Sequence, residues 1–448
     1  MTKKTCFSLS TLKSNDSLLN GGQNIQTTSL TKKQKEAIGL LQVGTFLEYF
    51  DLMLYVHMAV LLNELFFPKT DPHTTALLSA FAFCSTYVLR PFGALIFGYI
   101  GDNLGRKTTV IITTTIMSIS CVIMANLSTY AQIGIAASWI VTICRITQGL
   151  SSMGEIIGAQ IYVTEITKPP AQYPAVAFIS VASAFGAVAA LGIASLVTHF
   201  GFNWRLAFWI GAGIAVVGSI ARTQLRETPE FLTQIKKKID HPLIYRNDPL
   251  SRTSKKTFLA LFLIYCGWPL SFYLVFIHFN AMLSHTFHYS PEDIIFHNFL
   301  LSIVFLTTFI IWALLSYRVY PLKIIKVRGV LCIIITFFLP WLIDHCKKPE
   351  ELFLLQSTLL FLSLASTPTE SILVSAVPVL RRFTAASCIY ALSRALIYVV
   401  TSFSLVYLTE MFGNWGLWIV IFPIAIGFLW GTLHFEKIYI GYHSHLEK

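Results

Sequence analysis

Charge is scarce in this sequence. Asp, Glu, Lys and Arg make up only 12% of its 448 residues, about half of the roughly 25% carried by a soluble globular domain. Too few charges remain to coat a water-facing surface. That excludes an ordinary soluble enzyme, a disordered chain, and a nucleic-acid binder with a basic face. Acidic residues are scarcer than basic ones, 22 against 33. The eight cysteines form no CxxC, and Cys84, Cys121, Cys144, Cys266, Cys332 and Cys388 lie in or beside apolar runs. They read as small buried hydrophobes, which leaves no disulfide framework and no zinc site. A phosphate loop, a dinucleotide fingerprint and a hydrolase motif are also missing, so the reading has no cofactor, no catalysis and no ATP-driven step. The first 36 residues are polar and lack the apolar core of a signal peptide, and read as a cytoplasmic tail.

What the chain does have is apolar length. Hydrophobic residues are 55% of the chain and the mean hydropathy is +0.65. Twelve long runs stand out. They are Ile38–Leu65, Thr75–Ile100, Thr108–Leu127, Ala136–Thr164, Pro174–Thr198 and Leu206–Ala221, then Phe258–Leu283, Ile294–Leu315, Val327–Ile343, Leu352–Leu380, Ala385–Phe412 and Gly416–Ile440. Each approaches or exceeds the roughly 20 residues a membrane-spanning helix needs. None shows the period of two of a barrel strand, and backbone groups in lipid must bond internally, so the runs predict helices. The expected fold is an all-α integral membrane protein with two six-helix halves, 37–221 and 257–440. A basic stretch, 222–256, separates them, and 441–448 forms a second cytoplasmic tail.

With the amino terminus inside, 26 of the 33 basic residues fall in inner segments and three in outer loops. Arg90, Arg145, Arg205 and Arg394 lie within helices or at their edges. This bias predicts both termini in the cytoplasm.

The segment Gly98-Tyr99-Ile100-Gly101-Asp102-Asn103-Leu104-Gly105-Arg106-Lys107 lies between the second and third runs on the inner side. Its glycines permit a tight bend, its aspartate can cap a neighbouring helix, and its basic pair suits an inner face. It resembles the G-x-x-x-D-[RK]-x-G-R-[RK] loop of the major facilitator superfamily, with Asn103 replacing a basic residue. Further stretches resemble the metabolite:proton symporters of that superfamily. They are Gly44-Thr45-Phe46-Leu47-Glu48-Tyr49-Phe50-Asp51 with Tyr55, Arg90-Pro91-Phe92-Gly93, and Gln148-Gly149-Leu150-Ser151 with Gly154-Glu155 and Gly158-Ala159. Trp204-Arg205-Leu206 and Glu227-Thr228-Pro229-Glu230-Phe231 complete the set. Met153 replaces a family glycine. The corresponding second-half loop, Ser316–Lys323, has Tyr317 for the aspartate and Tyr320 for the glycine.

The resemblance implies a bacterial inner-membrane carrier, working as a monomer, for a small solute such as proline or betaine or a di- or tricarboxylate, taken up with a proton. Gly98, Asp102, Gly105, Arg106, Lys107 and Arg145 are then the conformational motif.

Ionisable residues inside the spans are the functional candidates, because each is costly in lipid. At 1.5 Å per residue, Glu48, Arg90, Glu155, Glu370 and Arg394 fall in one layer about half way across, where a site between two halves is expected. Burial brings protonation of a carboxylate within reach of neutral pH, which makes Glu48, Asp51 and Glu155 the candidate proton carriers. Arg90, Tyr55, Glu370 and Arg394 are the candidate substrate contacts, with Glu370 and Arg394 able to pair. A static set of salt bridges is the competing reading. An uncoupled facilitator or exchanger, and a non-transporting receptor derived from a carrier, are the competing functions. The small-residue face on helix five (Ala184, Gly186, Ala187, Ala189, Ala190, Gly192) reads as packing; the antiporters of the superfamily it resembles usually carry a Gly-Pro step there, so the resemblance without that step implies symport. His278, His285, His288 and His297 read as interfacial. Pro269, Pro368 and Pro378 read as kinks.

Overall fold

The computed structural model describes residues 30–57, 62, 65–67, 87–200, 203–240 and 254–446. Most of the amino-terminal tail, the start of the expected second span and the middle of the basic stretch lie outside the described residues, as does Lys69.

The first half contains α1 (Lys32–His57), α2 (Arg90–Asn103), α3 (Arg106–Asn126), α4 (Ile135–Ile166), α5 (Gln172–Phe200) and α6 (Arg205–Arg222). A polar helix, α7 (Pro229–Asp240), follows. The second half contains α8 (Lys255–Tyr273), α9 (Pro291–Leu315), α10 (Pro321–His345), α11 (Pro349–Phe361), α12 (Glu370–Ser375), α13 (Val379–Phe412) and α14 (Leu417–Leu446). Local chemistry sets several of these boundaries. Gly105, at φ 110°, makes the turn between α2 and α3, a conformation open chiefly to glycine. Ser290 and Asp293 cap the start of α9 reciprocally. Pro269 lies inside α8, and the helix widens into a π turn at Leu274–His278 before continuing as Phe279–His285.

Seven described segments are long and apolar enough to cross a membrane by themselves. Three of the remaining expected spans show in their sequences why they fall short. Arg145, Glu155 and Glu165 interrupt α4, and Lys323, Lys326 and Arg328 interrupt α10. The short α6 has 18 residues.

The tenth span departs from expectation. The run Leu352–Leu380 predicts one kinked helix, but α11 stops at Phe361 and α12 starts only at Glu370. Residues 362–369, which include Pro368, carry open backbone groups. Pro378 does not kink a helix but precedes the first residue of α13, which therefore begins six residues before the expected Ala385. Besides Arg106, three arginines assigned to inner loops are buried instead. Arg222 is the last residue of α6, Arg328 lies within α10, and Arg382 is in the first turn of α13.

The halves meet along two seams. On one, α5 packs against both α1 and α9. A side chain at Gly186 would run into the Phe46 carbonyl of α1, and one at Gly192 would press on the Phe299 ring of α9. The small-residue face is thus a packing surface toward both halves. On the other seam α2 packs against α13, with Gly98 and Gly101 leaving room for Thr384 and Phe383.

Candidate transport site

A narrow cavity, with room for about 30 Å³ of water, lies between the halves. The first half contributes Tyr49, Leu52 and Met53 from α1, Tyr87, Arg90 from α2, and Ala187 and Leu191 from α5. The second contributes Trp268, Phe272 and Phe276, with Ser302 and Phe305 from α9 and Arg394 and Tyr398 from α13. Among the described residues, two guanidinium groups, one from each half, are the only charged side chains on this wall. Arg90 lies over the Tyr87 ring, 4.7 Å from its centroid. Arg394 sits over Tyr390 at 3.2 Å, and its Nη1 has no hydrogen-bond partner among the described residues. The rest of the wall is mostly aromatic and aliphatic. Trp268 stacks on Phe305 at 4.8 Å, and Tyr87 meets Tyr398 at 4.3 Å. Such a chamber can hold a carboxylate at the arginines and an organic cation against the rings.

A smaller chamber adjoins it through Leu52 and Arg90, lined also by Glu48, Asp51, Met117, Arg145, Gln148, Gly149 and Ser152. Glu48 is 1% exposed, and neither of its carboxylate oxygens has a hydrogen-bond partner among the described residues. Asp51 is paired with Arg145 at 3.5 Å and also accepts from the Cys121 thiol. Arg145 donates to Gln148 at 3.0 Å and lies 4.0 Å over the Tyr55 ring. Tyr55 therefore supports Arg145 from beneath and is absent from the cavity wall.

Glu155 is differently placed. Its carboxylate accepts from Thr113 (2.9 Å) and Thr114 (2.5 Å) and pairs with Arg222 at 2.5 Å. Arg222 also bonds Thr114 and reaches the Leu40 and Leu41 carbonyls of α1. A side chain at Gly44 would collide with that guanidinium. This saturated network joins four helices. Sequence reasoning missed Arg222 by setting it in the loop. The available signal was a lone arginine directly after an apolar run that also faced a lone glutamate in another run.

Glu370 and Arg394, expected as partners, make no ion pair with each other. Glu370 Oε1 accepts from Thr367 at 2.7 Å and Ser366 at 3.3 Å, inside the broken stretch. The opened carbonyls of Ser363 and Thr367 are taken by the Arg328 guanidinium, the latter at 2.6 Å. Unwound backbone in lipid survives only when its polar groups are satisfied in this way. Glu370 is not part of the cavity wall, because the break turns it toward Arg328.

At the basic end of the bundle the conformational motif closes the halves on each other. Asp102 accepts the backbone N–H groups of Phe383 (3.0 Å) and Thr384 (2.9 Å), near the start of α13 in the opposite half. Arg106 donates to the Val379 carbonyl at 2.6 Å and pairs with Glu165 at 3.1 Å. Arg382 pairs with the same Glu165 at 3.1 Å and with Glu230 at 3.3 Å. Glu227 caps α3 by accepting from the backbone of Arg106 (3.0 Å) and Lys107 (3.1 Å). Thr228 donates to Glu165 at 2.5 Å, and Phe231 lies under Arg106 at 4.6 Å. The segment from Glu227 to Phe231 therefore docks on the motif. Glu165 and Arg382 were not foreseen, since the sequence does not reveal which loop residues meet across the halves. The eroded second loop has a different contact, Tyr320 against Tyr173 at 6.1 Å.

Among the described residues no three His, Cys, Asp or Glu side chains gather as a metal site. His297 instead pairs with Gln356 at 2.8 Å, and Gln356 donates to the Val275 carbonyl in the π turn at 2.9 Å.

Two packed helical halves, a cavity between them and a closing motif at one end define a carrier-type membrane fold. The chain belongs to the major facilitator superfamily, whose sequence profile matches residues 41–362. It is 28% identical over 275 residues to the proline/betaine transporter of Salmonella typhimurium, covering 58% of this chain and 55% of that protein. It is 30% identical over 261 residues to the inner membrane metabolite transport protein YhjE of Escherichia coli, covering 56% and 58%. The chain thus spans a little over half the length of the curated relatives it matches. Among solved structures, the proton:xylose symporter XylE bound to 6-bromo-6-deoxy-D-glucose superposes with a TM-score of 0.71 at 15% identity, covering 90% of this chain and 95% of that one. The human organic anion transporter MFSD10 gives 0.66 at 16%, with 90% and 99% covered. These likenesses establish the fold.

Proposed function

We propose that the protein is a secondary active transporter that imports a small zwitterionic solute, of the proline or betaine type, together with a proton. The basic end faces the cytoplasm, with both termini there, and the halves 37–221 and 257–440 rock about the cavity as a monomer. One observation carries the reading. Arg90 and Arg394 approach a single aromatic-walled cavity from opposite halves, beside a buried Glu48 that has no hydrogen-bond partner among the described residues.

A solute carboxylate bridging the two guanidinium groups ties the halves together. Trp268, Phe272, Phe305 and Tyr398 offer π faces to an alkylated ammonium, which favours a zwitterion over a di- or tricarboxylate. Two of the named relatives are described by proline or general metabolite transport, which agrees with this choice. Glu48 is the proton carrier, and its nearness to Arg90 links its charge to solute binding. Asp51 and Arg145 position the small chamber. Release inward requires the Asp102, Arg106 and Arg382 contacts to part.

The test is uptake of labelled proline, glycine betaine and succinate into proteoliposomes, with and without an imposed pH gradient. Gradient-driven accumulation of a zwitterion is expected. Equilibration alone would leave a facilitator, and binding without flux a receptor.

A further inference from the structure

The mechanism above uses only one side of α7. Glu230 and Phe231, at its amino-terminal end, dock on Arg382 and Arg106. On the helical wheel Leu232, Ile235 and Ile239 follow at spacings of three and four and form one stripe. Among the described residues nothing covers that stripe's ends: Leu232 is 51% exposed and Ile239 is 71% exposed. Lys236 borders the stripe on one side and Lys238 on the other, with Lys237 behind, and all three are exposed. An apolar stripe edged by lysines at the end of a membrane bundle has the chemistry of a helix lying in the interface. Its apolar side enters the acyl boundary and its ammonium groups meet phosphates.

We infer that α7 is a lipid-binding helix that seats on anionic phospholipid headgroups at the basic end of the bundle. The partner is an anionic lipid and not merely any bilayer. Of the two carboxylates on the helix, Glu230 is paired with Arg382, which leaves Asp240 against three adjacent lysines, so their charge is complementary to a negative leaflet. Because Glu230 bridges to Arg382 and Phe231 packs under Arg106, a helix held down by lipid also braces the closed end. The inference rests on the membrane reading of the fold and is independent of substrate and proton coupling.

Hydrogen exchange of the full-length protein tests it. The protein is placed in nanodiscs of phosphatidylcholine alone, in nanodiscs of phosphatidylcholine with phosphatidylglycerol, and in amphipol. The segment 229–240 is expected to exchange several-fold more slowly with phosphatidylglycerol than in the other two. The Lys236→Gln/Lys237→Gln/Lys238→Gln variant, altered only at exposed positions, should lose that difference while transport helices keep their protection. Equal exchange in all three settings would overturn the inference, because contacts within the protein would then be covering the helix. Phosphatidylglycerol protection that survives in the triple variant would overturn the assignment to the lysines.

Discussion

Glu48 and Glu155 look alike in the sequence, but the fold separates them, so replacing each by glutamine gives opposite outcomes. Glu155→Gln leaves the buried Arg222 guanidinium without its counter-charge. Breaking one side of a buried ion pair costs about 3–5 kcal/mol. The Thr114 hydroxyl and the Leu40 and Leu41 carbonyls still hold Arg222, so the lower part of that range is expected. Glu48→Gln removes a carboxylate that makes no hydrogen bond, so the melting temperature should stay level or rise. Transport reverses the order. One proton per solute against an imposed gradient of about one pH unit sustains about tenfold accumulation, since each 1.4 kcal/mol is a factor of ten. Glu48→Gln should collapse that ratio to equilibration while still exchanging solute, whereas Glu155→Gln, where it folds, should keep accumulating. The assays are thermal unfolding of purified protein and proteoliposome uptake with counterflow. Undiminished gradient-driven accumulation by Glu48→Gln would falsify the coupling role.

Four further outcomes follow from the same geometry. Arg90→Lys and Arg394→Lys keep the charge but lose the planar fork, and each should weaken the thermal shift produced by the transported solute about tenfold or more in apparent affinity. Gly98→Ala and Gly101→Ala place a methyl group against Thr384 and Phe383. Both should open the basic end, read as faster alkylation of a cysteine introduced at Lys168. Asp102→Asn exchanges an acceptor of two backbone N–H groups for a side chain that can accept with one atom only. It should cost about 1.5–3 kcal/mol of the closed state, visible as a shift in spin-label distances between positions 168 and 381. Arg328→Met strands the Ser363 and Thr367 carbonyls at about 1–3 kcal/mol each, and should lower the melting temperature more than Lys323→Met on the same helix.

The apolar runs made most of the helices legible, because the requirement to satisfy the backbone in lipid is local to each segment. The motif at Gly98–Lys107 was legible in part: Gly105 does make the bend, while Asp102 reaches a neighbouring helix at its fifth and sixth residues and not at its N-terminal cap. What stayed hidden depends on contacts between distant segments. A run of apolar residues from Leu352 to Leu380 contains no sign that Arg328, on another helix, will stabilise a break within it. Arg222 and Arg382 looked like cytoplasmic charges because charge counting ignores burial, and their carboxylate partners lie 67 and 217 positions away. Arg394 was named as a substrate contact from its depth, and Arg90 from its depth and its motif, and both line the cavity. Glu370 was named on the same ground and Tyr55 with the first-helix pattern, and neither lines it, because depth along a helix says nothing about which face a residue occupies.

The crossbar from Glu155 through Arg222 to the α1 carbonyls has a mechanical consequence. It fastens α1, α3, α4 and α6 into a single stiff plate on which Glu48 is mounted. The opposite half is built with joints: a π turn in α8 and an interrupted tenth span. Deformation during a transport cycle should therefore concentrate in the second half, folding around a first half that serves as its anvil.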